Sequence, residues 1–298
     1  MARSRRRAGG PAGGVDVALL RRALEEDRFE ADLTTRSLFA GPFPARGDVV
    51  AQAQGVLSGS HAAVRLARLA GLTARRKVAD GRSVRRGTVV LELRGDGRRI
   101  LAVERTLLNL LMHLSGVATA TRTAVEAVRG AGGTLHIRGT RKTLPGLRDL
   151  EKAAIEHGGG ERHRRDLASG ILVKNNHLEA LPVAEAVRRL RRLPFPRPVI
   201  EVEVRTLTQA RQALAAGAEE LLLDNLSPRG ARRLVSAIRR LPKGQDVPIE
   251  LSGGLTVGNV REYARTGADS ASLGSLTHSA PALPFHMKLT ALGGRPPP

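Results

Sequence analysis

The chain has 298 residues, 41% of them hydrophobic, and no cysteine, a globular composition that can bury a large core, excludes disulfides and thiolate metal sites, and fits a reducing cytoplasm. Its 49 Lys and Arg against 28 Asp and Glu leave a net charge of +21, which favours anionic partners. Five Phe, one Tyr and no Trp offer little to a base-stacking platform, so small anionic metabolites are favoured over nucleic acid, and no uninterrupted apolar run suggests a membrane span.

Residues 1–14, MARSRRRAGGPAGG, read as a Gly/Arg-rich arm. Residues 15–27 carry apolar side chains at helical spacing. From 46 to 103 the pattern is one of short alternating strands broken by glycine, with Asp80-Gly81 as the tight turn of a hairpin. Residues 104–130 form a long helical stretch that Ser115-Gly116 is expected to bend or break. Beyond 134 the texture becomes regular. Short apolar runs at 134–138, 170–175, 199–204, 220–225, 248–254 and 270–275 alternate with amphipathic stretches such as LTQARQALAAG and VGNVREYARTG. Six such repeats predict a parallel sheet and suggest a (β/α) barrel, with an open doubly wound sheet as the alternative.

Polar and charged residues cluster where these strands end. IRGTRKTLPG, residues 137–146, packs Arg138, Arg141 and Lys142 into five positions; Lys174, Glu203, Asp224, Ser252-Gly253-Gly254 and Gly274-Ser275 close later strands. In parallel α/β folds that rim is where sites are built. Arg105, Arg141, Lys142, His163, Arg164 and Lys174 form a cationic set, suited to a small ligand with several anionic groups. Glu203 and Asp224 are candidate ligands for Mg²⁺, which bridges carboxylates and substrate phosphates; salt bridges between the two sets are the plainer alternative. The glycines of LSGG and LGS would let backbone N–H groups reach a phosphate. HGGGERH, residues 157–163, reads as a flexible loop, and His157, His163 and His177 match no zinc spacing.

ERTLLNLLMHLSGVATATR, TRKTLPGLRDLEKAAIEHGGG, HRRDLASGILVKNNH, EVEV, LLLDN, SGGLT and LGSLTHSAPAL occur in that order between about residue 100 and 285. With the earlier LEED and ADLTTR stretches, they resemble the motifs of the quinolinate phosphoribosyltransferases. The resemblance implies an α/β protein: an incomplete (β/α) barrel over residues 118–276, an N-terminal α/β sandwich domain over 15–117, and a C-terminal segment, 277–298, returning toward the latter. It implies condensation of quinolinate with phosphoribosyl pyrophosphate to nicotinate mononucleotide, pyrophosphate and CO₂, in the cytoplasm, by a homodimer or hexamer of dimers. Arg141, His163 and Arg164 would hold the carboxylate that is lost, with Lys142 and Lys174 nearby, and Arg105 would reach into a neighbouring subunit's site. Glu203 and Asp224 would bind Mg²⁺ and face the ribose. Ser252, Gly253, Gly254, Gly274, Ser275 and His278 would cradle the 5′-phosphate.

The chain departs from the family pattern at Gly139, Ser169 and Asn175, each of which stands where the family carries aspartate. The expected consequence is tight anion binding with poorer positioning and slow turnover. Two further readings stay open: a paralogue acting on another heterocyclic acid, and a catalytically weak homologue that binds nucleic acid with its basic arm.

Overall fold

The computed structural model describes residues 16–293, so the arm at 1–14 lies outside the described residues. Two compact units are present. One comprises residues 16–80, Val84–Met112 and residues 283–293; the other comprises Gly81–Ser83 and His113–Ala282.

The first unit begins with α1 (Val17–Glu26), whose first turn is closed by the Asp16 carboxylate accepting from the Ala18 N–H at 2.9 Å. Its four-residue spacing of Leu20 and Leu24 puts both into the core. There follow α2 (Leu33–Leu38), β1 (Pro44–Ala51), β2 (Gly55–Val56), α3 (Ser60–Leu69), β3 (Thr73–Arg76), β4 (Ser83–Val84), β5 (Val89–Asp96) and α4 (Gly97–Gly130). The C-terminal strand Phe285–Ala291, β1, β5 and β3 form an antiparallel sheet in that order. In β1 every second residue (Ala45, Gly47, Val49, Ala51) is buried, the period expected of a sheet with one covered face. Leu66 of α3 and Ile100, Val103, Leu107 and Leu111 of α4 belong to the same core.

Two expectations are corrected here. Asp80-Gly81 does turn, with Gly81 at φ +84°, but no hairpin follows, because β3 pairs with β5. Asp80 instead accepts from the Ser60 N–H at 2.9 Å and so caps α3. The long helix is unbroken at Ser115-Gly116. Gly116 is there for closeness: a Cβ on it would sit 2.3 Å from the Pro281 carbonyl oxygen. By length and composition α4 could cross a bilayer, which a search for one uninterrupted apolar run does not reveal. Its apolar residues are consumed elsewhere, those up to Leu111 in the first core and Ala120, Ala124 and Val128 in the second. The units divide within this helix, between Met112 and His113.

The second unit runs β6 (His136–Arg138), α5 (Arg148–His157), β7 (Ile171–Val173), α6 (Asn175–Leu178), α7 (Val183–Arg191), β8 (Ile200–Val204), α8 (Leu207–Ala216), β9 (Glu220–Asp224), α9 (Pro228–Arg239), β10 (Ile249–Ser252), α10 (Val260–Tyr263), β11 (Ser270–Ser272) and α11 (Ser275–His278). The six strands form one parallel sheet ordered β6-β11-β10-β9-β8-β7. The order begins and ends on the unit's first two strands, and among the described residues these do not pair, so the barrel is incomplete. Val202, Leu221 and Leu251 are essentially inaccessible, as parallel strands covered on both faces require. Local chemistry sets the helix limits. Thr206 and Gln209 make a capping box on α8, Gly217 ends that helix at φ +102°, and Ser227 caps α9 ahead of Pro228.

The glycine run after α5 is packed, not a flexible loop. A Cβ on Gly158 would meet the Ala118 carbonyl oxygen and Thr121 Cβ at 2.5 Å, and one on Gly160 would meet Thr121 Cγ2 at 2.8 Å. The chain is pressed onto α4 there, which delivers Glu161 to an isolated parallel bridge with Arg138 at the edge of β6.

Candidate active site

Because all six strands run the same way, their C-terminal ends share one rim. Arg141, Lys142, Lys174, Glu203, Asp224, Ser252, Gly253, Gly254, Gly274, Ser275 and His278 lie at or just beyond strand ends of the second unit, and His163 and Arg164 lie in the segment between α5 and β7. Arg105 belongs to the first unit and is exposed on α4.

The cations of IRGTRK have two different roles. Arg138 faces inward. Its Nη1 donates to Glu220 Oε1 at 2.6 Å and Glu250 Oε2 at 2.7 Å, and its Nε to Glu161 Oε2 at 3.1 Å. Its charge is fully used, so it is no anion receptor. Arg141 is different: its Nε is buried without a hydrogen-bond partner among the described residues. Burial, and next the like charge of Arg141, make the Arg164 guanidinium easier to deprotonate than usual, against a weaker pull from Glu201 and Glu250. Two guanidinium groups that repel each other, one with an unused donor, suit an incoming anion. Lys142 reaches the glycine rim, where a Cβ on Gly274 would lie 2.6 Å from its Cδ and 3.2 Å from His278 Nε2. Thr277 Oγ1 donates to the Lys142 carbonyl at 2.7 Å and ties the loop to α11.

His163 adopts left-handed backbone, φ +53°, which is uncommon outside glycine and asparagine. Its Nε2 points into the barrel, 3.4 Å from Glu250 Oε2 and 3.6 Å from Glu201 Oε2. Burial alone would lower its pKa, but the two carboxylates outweigh it and push the imidazole up to about 9, so it is cationic at neutral pH. Glu250 is held down at about 2, since His163 and Arg138 outweigh its burial, whereas burial and the charge of Glu250 raise Glu201. Ligand atoms of His163, Glu201 and Glu250 lie within 4.8 Å of one another, near enough for a metal. An ion pair accounts for them better, because a protonated imidazole has no free lone pair on the nitrogen that faces the carboxylates.

Glu203 and Asp224 end adjacent strands. Burial, and then the charge of Asp224, raise the Glu203 pKa. The Asn175 side-chain amide donates to Glu203 Oε1, and Arg205 and Asn225 donate to Asp224 Oδ2 at 2.9 and 3.1 Å. Among the described residues, side-chain donors reach only Oε1 of Glu203 and Oδ2 of Asp224. Two mutually repelling carboxylates fit a hard divalent cation. Beside them, Gly253 and Gly254 stand consecutively in left-handed backbone, φ +84° and +64°; a Cβ on the first would fall 2.4 Å from Asn225 Oδ1. Ser272 Oγ donates to Ser252 Oγ at 3.0 Å, and Ser275 Oγ to the Leu255 carbonyl at 3.3 Å. Lys174 is exposed at the start of α6, its N–H donating to His177 Nδ1 at 2.9 Å, so His177 serves the backbone there.

Sequence reasoning missed Glu201, Glu220, Glu250 and Lys152. A signal existed for the first. Glu201 and Glu203 alternate in IEVEV, and two charges at strand period on one face of an otherwise apolar, buried strand cannot both be solvated. Glu250 lies in PIELS, another apolar run. Lys152 is 1% exposed on α5, and its Nζ donates to the Arg162 carbonyl, the residue before His163. The three departures also acquire surroundings. A Cβ on Gly139 would meet Ile155 Cδ1 at 2.4 Å. Ser169 Oγ accepts from the Arg165 and Asp166 N–H groups at 2.9 Å and closes that loop. Asn175 supports Glu203.

Comparison with known proteins fits this geometry. Residues 32–115 match the N-terminal domain, and residues 117–288 the C-terminal domain, of quinolinate phosphoribosyl transferase. The chain is 39% identical to the nicotinate-nucleotide pyrophosphorylase (carboxylating) of Mycobacterium leprae over 91% of its own length and 95% of the relative's. It is 36% identical to the probable enzyme of that name from Methanothermobacter thermautotrophicus, over 92% and 99%. Among solved structures, the nicotinate-nucleotide pyrophosphorylase of Francisella tularensis superposes with a TM-score of 0.85 at 30% identity, covering 95% of this chain and 98% of that one. NadC from Streptococcus pyogenes gives 0.84 at 35%, covering 92% and 96%. By domain match, identity and fold, the chain belongs to the quinolinate phosphoribosyl transferase family.

Proposed function

We propose that this chain transfers the phosphoribosyl group of phosphoribosyl pyrophosphate to quinolinate and decarboxylates the product to nicotinate mononucleotide, a step of NAD biosynthesis. The observation that carries this reading is the cationic corner of the rim: Arg141 with a free buried donor, Arg164 facing its like charge, and His163 held as an imidazolium. A dianionic pyridine dicarboxylate neutralises such a corner; a neutral acceptor would leave it unpaired.

The chemistry follows from what the rim presents. The pyridine nitrogen attacks ribose C1 as the C–O bond to pyrophosphate breaks, and positive charge develops at C1. Glu203 and Asp224, on adjacent strands, are suited to stabilise that charge. The same two carboxylates would hold Mg²⁺, which when bound neutralises the pyrophosphate leaving group. Lys142, laid across Gly274, and the Ser252-Gly253-Gly254 turn would bind phosphate oxygens, with Ser275 and His278 beside them. Alkylation makes the ring nitrogen cationic, so it accepts the electron pair released when the adjacent carboxylate leaves as CO₂; a proton then fills the vacated carbon. Arg141, Arg164 and His163 orient the departing carboxylate and exclude water from it. Lys174 would add charge at the rim, and Arg105 would complete the site of a second copy, making the protein a homo-oligomer. The compartment is the cytoplasm. Incubation with quinolinate, phosphoribosyl pyrophosphate and Mg²⁺ should yield nicotinate mononucleotide by mass detection. If quinolinate is left unconsumed while another heterocyclic acid is ribosylated, the chain is a paralogue with a changed acceptor.

A further inference from the structure

Beneath the rim lies a layer of charge that the proposed reaction does not use. Three carboxylates, Glu201, Glu220 and Glu250, face two cations, Arg138 and His163, in the barrel, and a fourth, the exposed Glu161, pairs with Arg138 and with His136 at its edge. Glu250 is fully buried and is the shared member: its Oε2 accepts from Arg138 and also faces His163 Nε2 at 3.4 Å. Glu201 reaches the same nitrogen from β8 at 3.6 Å. The same Nη1 of Arg138 also donates to Glu220 of β9, and Glu250 lies between this permanent cation and the histidine. Arg162 and Arg164 flank His163 in the chain.

This arrangement matters because of the other ring nitrogen. With Nε2 turned into the barrel, Nδ1 is the atom left for a ligand. In a neutral ring that donates through Nε2–H, Nδ1 is a lone-pair acceptor and repels a carboxylate. The other neutral tautomer donates from Nδ1 but would turn an Nε2 lone pair onto the Glu250 carboxylate at 3.4 Å, so a ring that faces Glu250 and donates from Nδ1 is doubly protonated. Whether His163 attracts or repels the substrate is therefore decided on the barrel side of the ring.

We propose that Glu250, with Glu201, is a positioning residue for the acceptor: these buried carboxylates hold His163 in the doubly protonated form, so that Nδ1 presents a charge-assisted donor to the quinolinate carboxylate. The inference rests on the reading of the rim as a quinolinate site for its ligand, but not for its account of the histidine. The elevated proton affinity of His163, to about 9, agrees with it. Glu250→Gln keeps size and can still accept from Arg138, which retains Glu161 and Glu220 as carboxylate partners.

The test is quinolinate binding by calorimetry at pH 6 and 8.5, together with the titration of His163 followed by NMR of its ring Cε1–H, on wild type, Glu250→Gln and Glu201→Gln. In wild type the histidine stays protonated across this range and affinity changes little. In Glu250→Gln its midpoint falls toward the ordinary value of about 6.5, and affinity drops at least about tenfold more between the two pH values than in wild type. Loss of affinity by the same factor at both pH values would make Glu250 merely structural, and an unmoved His163 midpoint in both variants would overturn the proposal. Should Glu250→Gln fail to fold, Glu201→Gln carries the same comparison. If wild type binds no quinolinate at all, the proposed function fails, while the NMR titration still decides whether the carboxylates hold the proton.

Discussion

Arg138 and Arg141 sit three residues apart in one motif, and the structure predicts opposite consequences for their removal. Arg138→Gln takes the cation from between Glu161, Glu220 and Glu250, two of them at 2.6 and 2.7 Å and one fully buried. Breaking a buried ion pair from one side costs about 3–5 kcal/mol, because the charge left behind is uncompensated. Burial pushes the Glu250 pKa up, yet His163 and Arg138 outweigh it and hold the carboxyl well below its usual 4.5, so its ionised form contributes stability to the folded state. Since the folded-state value is depressed, that stability is fully present above 4.5 and is lost as the pH falls toward 2. The deficit of Arg138→Gln should therefore be about 3–5 kcal/mol at pH 7.5 and clearly smaller at pH 3.5, read from urea midpoints. Arg141→Gln removes a guanidinium whose Nε is unpaired and whose neighbour is Arg164. It should change stability by less than about 0.5 kcal/mol while abolishing tight quinolinate binding. If Arg141→Gln is as destabilising as Arg138→Gln, or if the Arg138→Gln deficit is independent of pH, the division of this loop into a structural and a ligand-binding arginine is wrong.

Burial, reinforced by Arg148 and Arg162, lowers the Lys152 pKa from 10.5 to about 8, so the unfolded chain holds the extra proton between those values and stability rises with pH across that window. Lys152→Met should flatten the rise in melting temperature between pH 8 and 10; a slope that survives the substitution assigns it to other groups. Asn175→Asp replaces the amide that donates to Glu203 with a third carboxylate beside Glu203 and Asp224. It should melt earlier than wild type in chelator, regain more stability on adding Mg²⁺, and turn over faster; an unaltered Mg²⁺ response would move the metal elsewhere. Asp224→Asn should cut Mg²⁺-dependent turnover far more than quinolinate affinity, as steady-state kinetics and calorimetry can separate. Mixed Arg105→Ala and Lys174→Ala proteins, each inactive alone, should recover activity through hybrid sites after subunit exchange, and no recovery would exclude a site shared between copies.

What the sequence disclosed about this protein follows a physical division. The barrel strands were legible because a parallel sheet covered on both faces needs unbroken apolar runs, and each run ends where the chain must turn to a helix. Most rim residues were legible for the same reason, since they sit just past those runs, whereas His163 and Arg164 follow α5 instead of a strand. Misreadings came where a residue's role is set by a distant partner. Ser115-Gly116 and Gly158–Gly160 look like breaks or flexibility, yet Gly116 faces the Pro281 carbonyl while Gly158 and Gly160 lie against α4, over Ala118 and Thr121. Arg138 looks like part of an anion trap until Glu220 and Glu250, 82 and 112 residues further on, are placed against it. Glu201 and Glu250 were hidden inside apolar strands, although a carboxylate in such a run is itself a statement that a cation must be waiting inside the fold. The crowding of charge in IRGTRK is thus two problems solved back to back. One arginine compensates the barrel's interior acids Glu220 and Glu250. The other, Arg141, keeps a buried Nε with no hydrogen-bond partner among the described residues, a donor left over for an anion.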